Sequence, residues 1–141
     1  MKLDWRRLRP AELLAGIAGL ALGVSLFLPW YEIGGVRESA WTALTVAEIP
    51  AALAALGALT LVFVTVTRRS PAVPLGVAVV TATLACVALV VVAVRAGAPP
   101  AGATARCYGL WLGLAGSVGV LIAAMLSLRD ERPFWGVPVT R

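Results

Sequence analysis

No histidine occurs in the 141 residues, so imidazole is absent as general base, haem ligand or zinc ligand. Two cysteines, Cys86 and Cys107, are present, but not in the C-x-x-C spacing of a thiol–disulfide relay. Cys86 falls about 13 Å down an apolar stretch, counting nine residues to Arg95 at helical rise. Cys107 falls at a stretch boundary, a depth mismatch beyond the Cα separation of a disulfide. Cys86 therefore reads as a small apolar residue, and Cys107, beside Arg106, as the thiol that is either inert, reactive or able to join two protomers. Glu12 and Glu48 stand at the ends of apolar stretches rather than inside them, so a proton relay or cation site lacks its intramembrane ligands. The hydroxyls of Ser25, Thr60, Thr65, Thr81, Thr83 and Ser117 are expected to bond to carbonyls of their own helices. No catalytic, cofactor-binding or metal-ligating set emerges, and the chain is expected not to be an enzyme.

Two other groups of residues carry recognition rather than catalysis. Ala15, Gly19 and Gly23 recur every four positions, as do Gly109, Gly113 and Ser117, with Gly116 and Gly119 adjacent. Such stripes let helix backbones approach closely, which is what drives association where lipid removes the hydrophobic effect. The helices that carry them are expected to pack tightly, either inside one bundle or across a homo-oligomer interface. Trp30, Tyr31, Trp41, Tyr108 and Trp111 cluster at the ends of apolar stretches. They form either an interfacial aromatic belt or a platform for a lipid headgroup, a quinone or a partner protein.

The elements that position these residues are four uncharged apolar stretches, Ala11–Leu28, Ile49–Val66, Ala72–Val94 and Tyr108–Leu128. At about 1.5 Å per residue they reach roughly 27 to 35 Å, against a hydrocarbon core of about 30 Å. The third is rich in β-branched residues, yet in lipid only a helix satisfies its own backbone at this length. Hydrophobic residues make up 60% of the chain and charged ones 13%, about half the charge of a soluble domain. The predicted fold class is all-α: a four-helix transmembrane bundle, with one membrane domain over residues 1–141 and a short extracytoplasmic hairpin or loop after the first helix.

Charge sets the orientation. Lys2, Arg6, Arg7, Arg9, Arg68, Arg69, Arg129, Arg132 and Arg141 lie on one face, and only Arg37, Arg95 and Arg106 on the other. The positive-inside rule then places both termini and the middle connection in the cytoplasm of a multi-pass cell-membrane protein. The net charge of +5 reflects this topology and attraction to anionic lipid, not nucleic-acid binding. The first stretch exceeds a signal-peptide h-region and lacks an A-x-A-like site beyond it, so it is expected to be retained.

The connections are short. Residues 1–9 form either an interfacial helix or a basic tail, and Pro10 with Glu12 suits a first helical turn. Gly34-Gly35 is a type I′ hairpin signal that would set Ile33 opposite Val36 and Glu32 opposite Arg37; an irregular loop is the alternative. Thr45 and Glu48 have capping-box spacing, while Pro50 favours a start at Ile49; Glu48 reads as a first-turn carboxylate at the outer interface. Residues 68–71 make a tight turn, residues 95–107 a flexible Gly/Pro/Ala loop, and Phe134 and Trp135 return to the inner interface.

Three stretches, LFLPWYE at the end of the first helix, SAWTAL after the hairpin, and YGLWLGLAG…LSLRDE over the fourth, resemble small four-span membrane proteins of high-GC Gram-positive bacteria. The resemblance covers nearly the whole chain. It implies the four-helix topology and carries over no activity or site residue. Claudins share four spans, but their longer first loop and W…GLW…C…C pattern are missing here. The expected function is that of a small structural or accessory subunit, packing in a homo-oligomer or larger membrane complex amid membrane lipids. The alternative is binding or transport of a neutral lipid-like molecule in an outer-leaflet aromatic groove.

Overall fold

The computed structural model describes residues 9–43, 46, 48–67 and 72–130. The basic segment before Arg9, Thr45, the 68–71 connection and the aromatics at 134–135 lie outside the described residues. The elements in chain order are α1 (Pro10–Ser25), β1 (Pro29–Ile33), β2 (Val36–Ser39), α2 (Ala40–Ala43), α3 (Ile49–Thr67), α4 (Ala72–Gly97), β3 (Ala103–Arg106) and α5 (Tyr108–Asp130).

Three helices, α3, α4 and α5, are long and apolar enough to cross a membrane. The first helix is shorter than its apolar run. It starts with Pro10 at its first position, and the Glu12 carboxylate accepts the Arg9 N–H at 2.8 Å, so the start signal acts as half of a capping box. It stops at Ser25, three residues before the predicted end at Leu28. There the bonding tightens to i→i−3: Leu26, Phe27 and Leu28 donate to Gly23, Val24 and Ser25 at 3.1–3.3 Å. Pro29 cannot continue the donor series, and the chain leaves as a strand. The helical part of α1 covers about 24 Å and the tightened turn adds about 6 Å.

The all-α description is corrected by a three-stranded antiparallel sheet in the order β2-β1-β3. The β1–β2 hairpin turns on Gly34 and Gly35, with φ of +59° and +80°, the pair of positive φ values a type I′ turn requires. Its register sets Ile33 opposite Val36 and Glu32 opposite Arg37. The third strand comes from the segment expected to be a flexible loop. Gly102, at φ +86°, turns the chain back so that Ala103–Arg106 pairs with β1. Thr104 Oγ1 then donates to the Glu32 carbonyl at 3.0 Å, and Cys107 N–H to the Trp30 carbonyl at 2.8 Å. A two-stranded hairpin is marginal alone, and the third strand supplies what it lacks.

The four long helices form a ring in which α1 packs on α3 and α5, and α4 packs on α3 and α5. Alanines and a few large residues (Leu22, Leu26, Trp30, Tyr31, Leu61, Val92, Leu110, Val120) fill the interior. Large apolar side chains such as Ile17, Phe27, Leu56, Val80 and Ile122 point outward, each about half exposed or more. That apolar exterior is the arrangement a bundle surrounded by lipid adopts.

Candidate functional site: the sheet cap and the α1–α3 slot

The small residues serve two different seams. Along α5, Gly109, Gly113, Gly116 and Gly119 face α1 and the start of β1. A methyl on Gly116 would lie 2.9 Å from the Leu22 backbone, and one on Gly119 would lie 2.7 Å from Ala18 Cβ. One on Gly109 would meet the Pro29 carbonyl at 2.6 Å, and one on Gly113 would meet the Trp30 ring at 2.8 Å. Ser117 is buried on the same helix and donates to the Gly113 carbonyl at 2.8 Å. The stripe on α1 turns elsewhere: Gly19 abuts Ala58 and the Ala55 carbonyl of α3, and Gly16 approaches Val62. Ala15 is buried. The glycines of α1 thus meet α3 and those of α5 meet α1, so the two stripes do not face each other. Gly23 is the exception, because a methyl there would meet only Ala55 Cβ, at an ordinary 3.8 Å.

The five aromatics do not converge on one surface. Trp30 and Tyr31 are buried, at 1% and 0% exposure, whereas Trp41, Tyr108 and Trp111 are exposed. A contact role for Trp30 and Tyr31 is therefore corrected to a structural one. Trp30 Nε1 donates to the Ser25 carbonyl at 2.7 Å, a carbonyl that also accepts the Leu28 N–H where α1 ends. Tyr31 donates its hydroxyl to the Arg95 carbonyl at 2.9 Å, tying β1 to the last turns of α4. Arg106 donates to the Gly97 carbonyl at 3.4 Å on that same helix end. The buried pair pins the sheet to one end of the bundle as a cap.

Burial pushes the Tyr31 hydroxyl above the ordinary tyrosine value of 10.0, and the positive charges of Arg95 and Arg106 partly offset that rise. The neutral phenol is the form the fold stabilises, so its contribution is intact below pH 10 and fades as pH climbs from there towards the raised value. Thermal unfolding in detergent should show stability falling above about pH 10. In Tyr31→Phe the baseline should be lower by about 1 kcal/mol from the lost hydrogen bond, and the alkaline fall attributable to this group should vanish. An unchanged alkaline profile in Tyr31→Phe would refute the assignment.

Between the sheet-side halves of α1 and α3 the seam opens into a slot of about 440 Å³. Its walls are Gly19, Leu20, Gly23, Val24, Leu26 and Phe27 from one side and Ala52, Ala55, Leu56 and Leu59 from the other, with Trp41 above. Phe27 and Trp41 close the top as a tilted ring pair with centroids 6.1 Å apart. Every lining side chain is apolar. The slot exists because small residues on both helices keep their Cα atoms bare while Leu and Phe stand up at the margins. Of the five predicted aromatics only Trp41 reaches it.

Glu48 stands one position before α3, and its carbonyl accepts the Ala52 N–H at 2.9 Å. It is 3% exposed, and its Oε2 has no hydrogen-bond partner among the described residues. Neither the slot nor this burial was expected from composition. The usable signal was the series Glu48, Ala52, Ala55, Leu59, spaced i, i+4, i+7, i+11 on one helical stripe. Of the hydroxyls expected to bond within their helices, Thr60, Thr65 and Thr83 each donate to the carbonyl four residues back at 2.7–3.0 Å, but Thr81 does not: its buried Oγ1 lies against Gly57 with no hydrogen-bond partner among the described residues. Among the described residues no three His, Cys, Asp or Glu side chains converge as a metal site. No protein-family model, curated protein or solved structure matches the chain at a significant level.

Proposed function

We propose that this chain is a non-catalytic, four-span protein of the cell membrane whose α1–α3 slot binds the apolar chain of a lipid-like molecule. The observation that carries the reading is the slot itself, whose volume of about 440 Å³ falls in the range of ligand sites, roughly 300–1,000 Å³. The fourth span is α1, whose helix and tightened terminal turn together reach about 30 Å. Arg9 and Arg129 lie at one end of the bundle and Arg37, Arg95 and Arg106 at the other, so the charge bias favours cytoplasmic termini and an outer-leaflet slot. In intact cells carrying the Cys86→Ser variant, a membrane-impermeant maleimide should label Cys107; labelling only after permeabilisation would invert the topology.

Gly23→Leu is the test of the slot. A Cβ fits at Gly23, and the rest of the leucine side chain would fill the cavity without forcing α1 from α3. A long-chain alkyl diazirine should label residues 19–27 and 52–59 of the purified wild type, and Gly23→Leu should lose most of that labelling while unfolding normally. Labelling spread evenly over Val80, Val90 and Ile122 would rule the slot out as a binding site. The second reading, a structural or accessory subunit in a homo-oligomer or larger complex, is favoured by Gly23 and Ala52, small residues that line the slot and are only half-buried. It requires a partner crosslinked through α1 or α3 in native membranes and lost in Gly23→Leu.

A further inference from the structure

Helix α4 packs on α3 and α5 and lies across the ring from α1, which leaves one side of it uncovered. The residues there are Gly76, Val79, Thr83, Cys86, Val90 and Ala93, closing on Gly97, and each is exposed. The steps between them alternate three and four, a 3.5-residue repeat held for three heptads over about 32 Å of helix. The other helices present large side chains to their surroundings: Ile17 and Phe27 on α1, Leu56 and Phe63 on α3, Ile122 and Met125 on α5. On α4 the exposed residues are glycine, alanine, cysteine, threonine and valine, and Leu75 is the single larger one among the described residues. Lipid asks for apolarity and sets no limit on size. A second helix does: small residues let the backbones approach, and valine, fixed at χ1, loses little freedom when packed. A straight helix drifts about 20° per heptad against such a repeat, so the stripe stays on one partner through left-handed crossing.

We propose that the partner on this face is a second copy of this chain, paired through α4 about a two-fold axis along the membrane normal. Two copies inserted with the same topology meet about such an axis with α4 parallel to α4. Each stripe residue then faces its own counterpart, and the rows on either side of the stripe pair five positions apart, as in any parallel heptad seam. A like partner is what that register fits. It sets Leu75, the one large exposed side chain, against Val80 of the second copy. Val80 borders a notch of about 320 Å³ between α3 and α4, whose other walls include Gly57, Thr60, Gly76 and Val77. Knob and notch thus lie on the same chain at the same depth, and the two-fold brings knob to notch twice. Charge agrees: Arg95, the one charged residue of α4, stands on the opposite side of the helix near Tyr31, so no like charges meet across the axis. The pairing is independent of the slot, which opens between α1 and α3.

Copper-phenanthroline oxidation of single-cysteine variants in native membranes tests the pairing. With Cys107→Ser, Cys86 is the only thiol, and it should form an adduct of twice the chain mass. In a background of Cys86→Ser and Cys107→Ser, the variants Val79→Cys, Thr83→Cys, Val90→Cys and Ala93→Cys should crosslink about tenfold or more above Val77→Cys, Leu84→Cys and Val91→Cys, which the seam holds beyond disulfide reach. Thr83→Leu combined with Ala93→Leu enlarges two exposed residues without touching the interior, and should lower the Cys86 adduct about tenfold by overpacking the seam. Gly23→Leu, which fills the slot, should leave that adduct unchanged. No dimer adduct at any stripe position overturns the proposal. Yields at Ile122→Cys as high as on the stripe would show random collision and overturn it too. An adduct of another mass would assign the face to a different membrane protein, and loss of the Cys86 adduct in Gly23→Leu would move the contact to α1 and α3; either result excludes the α4 pair.

Discussion

Gly116→Ala should lower unfolding stability by about 3 kcal/mol, the upper end of what overpacking a filled interior costs. The methyl has nowhere to go: its position lies 2.9 Å from the N, Cα and Cβ atoms of Leu22. Two of those atoms are backbone and cannot rotate away, and Leu22 is itself fully buried. Relief requires α1 to move off α5 along a seam that also holds Gly113 against Trp30 and Gly119 against Ala18. The control is built into the same chain. Gly76 has open space around its Cα and Gly23 has an ordinary contact, so alanine at either should stay within about 1 kcal/mol of wild type or gain slightly from helix propensity. Unfolding of the three variants in mixed micelles, followed by circular dichroism, separates a packing seam from a general intolerance of glycine replacement. Equal losses at Gly116 and Gly76 would defeat the seam argument.

Trp30→Ala should cost about 3–5 kcal/mol, the range for removing a buried large aromatic. Three things fail together in that variant. The ring that fills the notches over Gly109 and Gly113 disappears, the Ser25 carbonyl keeps the Leu28 N–H but loses its indole donor, and β1 loses the anchor next to Tyr31. Trp30→Phe separates these effects, because it keeps most of the volume and removes only the indole N–H, at about 1 kcal/mol. The cap should loosen before the bundle does, so Cys107, whose N–H bonds to the Trp30 carbonyl, should become more reactive to maleimide in Trp30→Ala than in Trp30→Phe. Equal reactivity in all three proteins would show that Trp30 does not hold the cap.

Local signals carried far in this chain. Helix ends marked by proline and glutamate, and a hairpin marked by Gly34-Gly35, form where residue type demands them. The reason is that backbone φ limits and donor supply act within a few residues. The segment containing Pro99, Pro100 and Gly102 misleads by the same logic. It has no local preference for a strand, and becomes one only because β1 offers unpaired backbone groups beside it. The aromatics divide for a similar reason. Trp30 and Trp41 have the same chemistry, yet one is inside because Gly109 and Gly113 leave room for its ring and the other remains exposed.

Length and hydropathy by themselves predicted four membrane spans, of which three helices are long and apolar enough to cross a membrane, and Gly34-Gly35 marked the turn beyond the first, since helix formation in lipid and the φ a turn needs are local requirements of the backbone. Which face of each helix turns inward was decided only by the tertiary structure. In an apolar surrounding the inward and outward faces are chemically alike, so hydrophobic patterning does not distinguish them. The choice falls to shape: Gly116 over Leu22, Gly19 over Ala58, and the gap at Gly23 where no side chain fills in. That gap follows from the fit between helices far apart in the chain.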